Sequence, residues 1–300
     1  MTADIPPLAI TGATGFVGRR VLALAGARPV RALTRRPQPP QPGVEWVLGD
    51  LNDRHALARL CDGAAAVLHI AGVVNAPDAA GFHAGNVTGT ANVLAAAAAV
   101  PRIVHVSSLA AREPGLSIYG ASKAAGDRQV QARAGDWLIV RPPGVYGPGD
   151  AEMRDLFALA RFGLGVAPGG PAARISLIHV NDLARALLAL ADAGPSRTVL
   201  EIDDGAGAQG GHSHAGFARA IGRALGRRPL VLPIPGGLLT ALAASRLIPK
   251  LTPDRARYLA HPDWVARGGN DHLAGLWQPQ IDLAAGLADT VRDYRARGWL

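Results

Sequence analysis

The sequence predicts an α/β protein whose core is a doubly wound parallel sheet, followed by a smaller C-terminal lobe. The chain has 300 residues, of which 49% are hydrophobic, which is enough for a large core and a smaller second unit. Its first half alternates short apolar runs with helical stretches, a pattern typical of parallel strands covered by helices on both faces. The alternation ends at a cluster of prolines and glycines in residues 142–149.

Six apolar runs in the first half are predicted strands, and the stretches between them are predicted helices. The strands are residues 8–11, 30–34, 44–48, 66–70, 103–106 and 138–140. The helices are residues 17–25, 54–61, 84–100 and 121–133. After the break we expect a helix at 152–162, a run at 175–178, a helix at 181–192 and a run at 199–202. Further helices are predicted at 215–225, 238–247, 253–260 and 283–295.

These elements divide the chain into a sheet domain and a lobe. We predict that residues 1–150 form the sheet domain and that 174–203 return to it. Residues 151–173 and 204–300 would then form the lobe, in which a substrate is expected to bind. The stretch 249–269 mixes helix breakers with apolar residues and is a candidate cover for the substrate pocket.

The strongly basic composition raises the question of a nucleic-acid partner. The formal net charge is +8 and the pI is about 10.6. Basic residues are scattered along the chain, however, and aromatic residues make up only 5% of it, too few for a base-stacking surface. The sequence therefore predicts no nucleic-acid partner, and the positive field favours a small anionic ligand such as a phosphorylated cofactor.

Cysteine content and hydropathy indicate the compartment. Cys61 is the only cysteine, so an internal disulfide cannot form and a reducing compartment is compatible. The N-terminus lacks a basic segment followed by an apolar stretch, and no apolar run is long enough to span a bilayer. We therefore expect a cytoplasmic protein without a transmembrane segment.

A glycine-rich turn joins the first predicted strand to the first helix. Gly12 permits a tight turn, Gly15 lets the backbone approach a pyrophosphate, and Gly18 allows close packing of helix on strand. The free N–H groups at the start of the helix favour phosphate. Because the turn directly follows a strand, it predicts a Rossmann-type dinucleotide site rather than a glycine turn without a ligand.

The end of the second strand predicts which dinucleotide is bound. An NAD-preferring site normally has a carboxylate here, but no Asp or Glu lies between Asp4 and Glu45. Arg35 and Arg36 instead offer guanidinium groups suited to the 2′-phosphate of NADP(H), so NADP(H) is favoured and NAD(H) is the alternative. Two solvated arginines at a strand end are the competing interpretation.

Two residues after the third strand are candidates to contact the adenine. Asp50 offers an acceptor for the adenine amino group, and Leu51 offers an apolar surface for the ring. A simple helix N-cap in the stretch 50–53 is the competing interpretation.

A tyrosine and a lysine four residues apart follow a serine pair at the end of the fifth strand. On a helix, Tyr119 and Lys123 project from the same face. A phenol ordinarily titrates near pH 10, and we expect the Lys123 ammonium and an oxidised nicotinamide to lower that pKa, so that Tyr119 transfers a proton. Ser108 would hold the substrate oxygen beside the phenol. Only two of the 31 basic residues are lysines, which supports a particular role for Lys123.

These residues together resemble the extended short-chain dehydrogenase/reductase family, which includes nucleotide-sugar epimerases and dihydroflavonol reductases. The resemblance covers residues 8–193. It implies that Ser108, Tyr119 and Lys123 are catalytic, and that Asn86 stabilises the active-site water network. It also implies that Tyr119 and Lys123 bind the cofactor. The other cofactor-binding residues that it implies are Gly12, Thr14, Gly15, Phe16, Val17, Arg35, Arg36, Asp50, Leu51, Ala71, Gly72, Pro142 and Val145.

The sequence therefore predicts an NADP-dependent oxidoreductase that transfers a hydride between the nicotinamide and a carbonyl or secondary alcohol. A nucleotide-sugar epimerase or dehydratase with tightly held cofactor is the first alternative, and a non-catalytic NADP(H)-binding scaffold or sensor is the second. The substrate is expected to be a small molecule, and the apolar lobe suggests an apolar one. The family resemblance implies a homodimer.

Two histidines in a glycine-rich loop, His212 and His214, have the alternating spacing of metal ligands but no nearby third ligand. We expect no metal there, and Ser213 is predicted to cap the following helix instead.

Overall fold

The central element of the computed structural model is a seven-stranded parallel sheet. The structure describes residues 5–245, 247 and 251–300. The strands of the sheet are β1 Leu8–Thr11, β2 Val30–Thr34, β3 Val44–Leu48, β4 Ala66–His69, β5 Arg102–Val106, β6 Asp136–Val140 and β11 Thr198–Leu200. They follow the spatial order β11-β6-β5-β4-β1-β2-β3, and all neighbouring pairs are parallel. The predicted doubly wound parallel sheet is confirmed.

Helices cover both faces of this sheet. They are α1 Phe16–Leu24, α2 Arg54–Cys61, α3 Ala79–His83, α4 Gly89–Ala96, α5 Ile118–Gln131 and α7 Val180–Asp192. Successive residues of β1 point to opposite faces: Leu8 packs in the core beneath α1 and α7, and Ala9 packs in the core beneath α2. Because both faces are covered, every residue of β1 is buried, which explains its apolar residues Leu8, Ala9 and Ile10.

The remaining elements form the smaller part of the protein and a connecting region. Its helices are α6 Arg154–Arg161, α8 His214–Ala224, α9 Gly236–Ser245, α10 Pro253–Ala260 and α11 Leu283–Ala296. Its strands are β7 Gly144–Tyr146, β8 Leu164–Pro168, β9 Arg174–Ile175, β10 Leu177–His179, β12 His212–Ser213, β13 Leu230–Ile234 and β14 Asp263–Trp264. They pair as β7 with β10, β8 with β13, and β9 with β12 and β14.

Two regions differ locally from the sequence prediction. The helix predicted over 84–100 starts earlier as α3, passes through a π-helical turn at Ala84–Thr88 and ends with α4. Strands β8 and β13 were not predicted, because a proline in each and a glycine in β8 interrupt the strand pattern. None of the helices within the described ranges combines the length and the hydropathy needed to cross a bilayer.

Candidate active site

The turn between β1 and α1 forms a cradle that only glycine can line. Gly12 has a φ of +74°, and a Cβ there would lie 2.6 Å from the backbone nitrogen of Ala71. A Cβ on Gly18 would lie 2.1 Å from the carbonyl oxygen of Gly12. Helix α1 begins at Phe16, and its N-cap Gly15 has no side chain to cap the first N–H groups. These groups stay available for an anion, so the cradle fits the pyrophosphate of a dinucleotide.

The carboxyl ends of β2 and β3 carry the residues predicted to bind the adenosine half. Arg35 and Arg36 are both exposed, in a turn held by a hydrogen bond from the Thr34 hydroxyl to the carbonyl of Arg36. Asp50 is exposed, and its carboxylate accepts a hydrogen bond from the N–H of Asn52 at 2.7 Å. The N-cap of α2 is Asp53. Asp50 therefore does not cap the helix. The cap that the alternative interpretation placed in the stretch 50–53 is Asp53.

Tyr119 and Ser108 meet at the carboxyl end of β5. Tyr119 lies in the first turn of α5, where the Ser117 side chain caps the helix by accepting from Gly120 N–H. Ser108 follows β5 and caps a short 3₁₀ helix. Its hydroxyl hydrogen-bonds the phenol of Tyr119, which favours the phenolate, but burial outweighs this bond and raises the phenol's pKa. The Tyr119 side chain is thus a neutral phenol at neutral pH.

Lys123 lies one turn further along α5 and is buried. Its ammonium donates a hydrogen bond to the carbonyl of Val106 at 2.9 Å. Burial lowers the pKa of Lys123 to about 8, and the nearby carboxylate of Asp127 opposes this shift. The sequence analysis predicted that the Lys123 ammonium and an oxidised nicotinamide together lower the pKa of Tyr119. Because this prediction concerns the protein with bound cofactor, it stays a prediction.

An ion pair between Asp127 and Arg141 lies near Lys123. The Asp127 carboxylate accepts a hydrogen bond from the Nε atom of Arg141 at 2.9 Å, and the Arg141 Nη2 atom forms an ion pair with it at 2.9 Å. Asp127 lies four residues after Lys123 and eight after Tyr119, so the three side chains share one face of α5. Asp127 was not among the residues predicted from the sequence. An acidic residue continuing the four-residue spacing was the available signal, but the same spacing also occurs on solvated helix faces.

Asn86 binds the loop that follows β4. Its amide oxygen accepts from the N–H of Val73 at 2.7 Å, and its amide nitrogen donates to the Val73 carbonyl at 2.8 Å and to the Ser122 hydroxyl at 2.9 Å. A Cβ on Gly72 would lie 3.1 Å from the amide oxygen of Asn86 and 3.5 Å from the Lys123 nitrogen. Asn86 therefore holds the loop of Ala71 and Gly72 beside the lysine. Its predicted contact with water stays a prediction.

Two buried histidines lie behind the site and are uncharged. The rings of His69 and His105 have centroids 5.0 Å apart. Burial lowers the pKa of His69 to about 3, and burial together with the Lys123 charge lowers that of His105 well below its ordinary value. The His69 ring is held by the hydroxyls of Thr11 at 2.7 Å and Thr90 at 3.0 Å. The histidines therefore support the site without adding charge to it.

An apolar cavity of about 260 Å³ opens beside Ser108. It lies between β8, α6, α8 and α10 and is lined by Ser108, Leu109, Pro143, Gly144, Met153, Leu156, Leu159, Ala160, Gly165, Val166, Pro168, Ile175, Ser176, Leu177, His214, Phe217, Ala218, Ile221, Ile234, Leu239, Tyr258, Leu259 and Trp264. Three of these residues belong to the stretch 249–269 predicted to cover a pocket, of which 249 and 250 lie outside the described residues. No arginine or lysine lines the cavity among the described residues.

Few polar groups face this cavity, and His214 is the most isolated of them. Burial lowers the pKa of His214 to about 4, so its imidazole is neutral. Its Nε2 atom is buried without a hydrogen-bond partner among the described residues. Ser176, by contrast, donates to Asp203 at 2.6 Å and accepts from Ala266 N–H. The Nε2 atom of His214 is therefore a cavity-lining group with free hydrogen-bonding capacity.

The predicted residues fall into two neighbouring groups. Ser108, Tyr119, Lys123 and Asn86 gather around the ends of β4 and β5, whereas Arg35, Arg36 and Asp50 lie at the ends of β2 and β3, across the glycine turn. Pro142 lies between the catalytic group and the cavity, and its carbonyl accepts from the N–H of Leu109. Val145, in β7, packs against the main core. Ser213 caps α8, as predicted, and His212 pairs with Asp204 at 2.7 Å.

Comparison of the sequence with known proteins identifies a matching family and two related reductases. Residues 8–202 match the model of the NAD dependent epimerase/dehydratase family. The chain is 40% identical to a ceramide reductase of Caulobacter vibrioides, over 98% of this chain and 96% of that protein. It is 31% identical to a 4-hydroxy-2-methyl-3-oxo-4-farnesyl-3,4-dihydroquinoline-1-oxide ketoreductase of Stigmatella aurantiaca, over 66% of this chain and 68% of that protein.

Solved structures share the fold over nearly the whole chain. MoeE5 in complex with UDP-glucuronic acid and NAD has a TM-score of 0.74 at 22% identity, over 97% of this chain and 99% of that one. The structure of gox2253 has a TM-score of 0.78 at 20% identity, over 99% of this chain and 100% of that one. At these identities the likeness concerns the fold alone.

Proposed function

We propose that this chain, which belongs to the NAD dependent epimerase/dehydratase family and is an NAD(P)-dependent oxidoreductase, reduces a ketone on a long-chain lipid of the ceramide type with NADPH. The motif-based resemblance to extended short-chain dehydrogenases is confirmed by the family match, as is the prediction of an oxidoreductase. The observation that carries the substrate proposal is the apolar cavity that opens at Ser108, beside the Tyr119 phenol. An alkyl chain fits its wall, because apolar surface buried there leaves water.

The chemistry of the proposed site follows from the positions of three side chains. Bound NADPH supplies the hydride, which is added to the ketone carbon. The Ser108 hydroxyl orients the ketone oxygen, and the Tyr119 phenol donates a proton to that oxygen as the secondary alcohol forms. The raised pKa of the phenol keeps Tyr119 protonated at neutral pH, so a proton is present for donation. Lys123 is placed to hold the nicotinamide ribose and to stabilise the resulting phenolate.

The division of the chain supports the same proposal. We assign cofactor binding to residues 1–150 with 174–203, and substrate binding to 151–173 with 204–300. Thr14, Phe16, Val17, Ala71, Gly72, Pro142 and Val145 would line the dinucleotide between the glycine turn and the nicotinamide. In the lobe, His214 would hydrogen-bond the polar amide or hydroxyl of the lipid head, because its Nε2 has no partner among the described residues.

The cavity also argues against the nucleotide-sugar alternative. A nucleoside diphosphate carries a compact negative charge, which proteins usually bind with arginine, lysine or backbone N–H groups. The wall of the cavity offers neither cation among the described residues. A lipid ketone needs no such group, and the reductase proposal is therefore favoured over the epimerase.

The direct test is turnover of a keto form of ceramide, dispersed in detergent, with NADPH. We expect NADPH oxidation and formation of the alcohol by mass spectrometry, with kcat/KM rising about threefold to fourfold per methylene until the chain fills the cavity. Val166→Phe should lower kcat/KM for the long-chain ketone roughly tenfold and leave a short ketone unaffected. Leu48→Phe, exposed on β3, is the matched control. Turnover of a UDP-sugar instead, with cofactor retained, would contradict the proposal.

Cofactor preference is a separate prediction. Binding of NADPH and NADH is measured by titration on the wild type, on Arg35→Ala and on the control Arg128→Ala, which alters another exposed arginine. We expect Arg35→Ala to weaken NADPH binding by about 10- to 100-fold and to leave NADH unchanged, because it removes a charge-assisted bond to the 2′-phosphate. Equal or tighter binding of NADH by the wild type would show that the two arginines are simply solvated.

A further inference from the structure

The strands β8 and β13 form a two-stranded ribbon with one apolar face. They pair in parallel, with Leu164 opposite Leu230 and Val166 opposite Leu232. Because side chains alternate along a strand and paired residues share a face, these four side chains point to the same side. The opposite side packs on α8, where a Cβ on Gly165 would lie 3.1 Å from the Cβ of Ala218.

This apolar face runs from the cavity to the protein surface. Toward its C-terminal end, Val166, Pro168 and Ile234 line the cavity. Toward its N-terminal end, Leu164 is 41% exposed and Leu230 is 65% exposed. Val166 of the cavity wall is paired with Leu232, which is 47% exposed at the protein surface. The cavity wall therefore continues into the exposed surface without an intervening polar residue.

Helix α6 extends the same exposed surface. Its Leu159 lines the cavity and is also exposed, and Phe162, just after the helix, is 77% exposed. We call Leu159, Phe162, Leu164, Leu230 and Leu232 the apolar rim. Five of the twelve exposed large hydrophobic side chains in the described residues are in this rim, beside the cavity. Clusters of this kind mark interaction surfaces, whereas single exposed residues need no explanation.

Basic residues flank the apolar rim. The guanidinium group of Arg161 lies 5.8 Å from the centroid of the Phe162 ring. Arg227 and Arg228 are exposed and directly precede β13. Within the described ranges, none of these three arginines forms an ion pair with a carboxylate. Exposed apolar side chains bordered by free guanidinium groups match the boundary between acyl chains and anionic headgroups.

We propose that the apolar rim docks on the surface of a lipid bilayer that carries anionic headgroups. The lipid then passes along the ribbon face into the cavity without exposing its chains to water. This inference rests on the proposed lipid substrate and adds the place from which the substrate is taken. The arginines hold the headgroups while Phe162 and the leucines enter the acyl boundary.

Vesicle flotation tests the docking without substrate or cofactor. Vesicles of phosphatidylcholine alone are compared with vesicles of equal parts phosphatidylcholine and phosphatidylglycerol. We expect the wild type to prefer the anionic vesicles, and Phe162→Ala with Leu230→Ala to weaken binding roughly tenfold or more. The matched control is Leu24→Ala with Leu48→Ala, which removes two exposed leucines from the sheet domain.

The arginines are tested in the same way. Arg227→Gln with Arg228→Gln should weaken binding to the anionic vesicles about fivefold per residue and leave binding to phosphatidylcholine unchanged. Arg54→Gln with Arg128→Gln, on α2 and α5, is the control. Binding of the rim variants equal to that of the wild type would overturn the proposal. So would wild-type self-association that Phe162→Ala abolishes, because the occupant would then be a second copy.

Activity assays separate this inference from the proposed function. Reduction of a short, water-soluble ketone measures the catalytic step without a membrane. The rim variants should reduce this ketone at the rate of the wild type. With the lipid ketone in vesicles, the rim variants should lose turnover in proportion to binding. Rim-dependent vesicle binding by a protein that does not reduce the lipid ketone would support docking and overturn the proposed function.

Discussion

Replacing Tyr119 by phenylalanine is expected to lower kcat for ketone reduction by about 100- to 10,000-fold, the usual contribution of a positioned general acid. The phenyl ring keeps the shape of the side chain and its contact with Phe82, whose ring centroid lies 6.1 Å away. It loses the hydroxyl that hydrogen-bonds Ser108 and that we propose as the proton donor. NADPH affinity should stay within a few-fold of the wild type, since the cofactor cradle is untouched.

Another tyrosine near the site provides the matched control. Tyr258 lines the cavity, and burial raises its pKa far above the ordinary value. Its ring packs against Trp264 at a centroid distance of 4.7 Å. Tyr258→Phe should keep kcat within a few-fold. Full turnover by Tyr119→Phe, with normal NADPH binding, would favour the non-catalytic scaffold, and a large loss in Tyr258→Phe alone would assign the acid to Tyr258.

The second large effect concerns stability. Asp182 is fully buried in the first turn of α7, and its carboxylate accepts hydrogen bonds from the N–H groups of Gln280 at 3.0 Å and Ile281 at 2.9 Å. It also pairs with Arg185, and its backbone carbonyl accepts from the Trp277 indole at 3.1 Å. One side chain thus ties the segment before α11 to the sheet domain.

Asp182→Ala is therefore expected to lower the free energy of unfolding by about 3–5 kcal/mol, because it removes a fully buried carboxylate and leaves two N–H donors and the Arg185 guanidinium without their acceptor. Urea denaturation followed by circular dichroism measures the change. Asp192→Ala is the control on the same helix: its carboxylate pairs with Arg28 but is 63% exposed, so we expect a loss of at most about 1 kcal/mol. Equal midpoints for the two variants would contradict the assigned role of Asp182.

Much of the sheet domain could be predicted from local sequence. Short runs rich in apolar and β-branched residues form β1, β2 and β3, and they were predicted with the bounds that the structure has. The glycine turn was equally predictable, since at Gly12 and Gly18 a Cβ would collide with the backbone. The four-residue spacing of Tyr119 and Lys123 is enough to place both side chains on one helix face.

Other features depend on contacts between residues distant in the chain. The pairing of β8 with β13 joins segments about 65 residues apart, and neither strand shows clear alternation in its sequence. The link between Asn86 and Val73 and the ion pair of Asp127 with Arg141 follow from how α5, β4 and β6 pack. No periodicity of a single segment contains that information.

The sequence by itself predicted the runs that form the strands, the glycine turn and the placement of Tyr119 and Lys123 on one helix face, because each depends on steric or periodic rules that act within a few residues. Only the tertiary structure decided the shape and apolar character of the cavity, the isolation of His214 within it and the apolar rim at its edge. Burial and desolvation are properties of assembled surfaces. They arise only when elements distant in the chain pack together, and the proposed substrate and its membrane source depend on them.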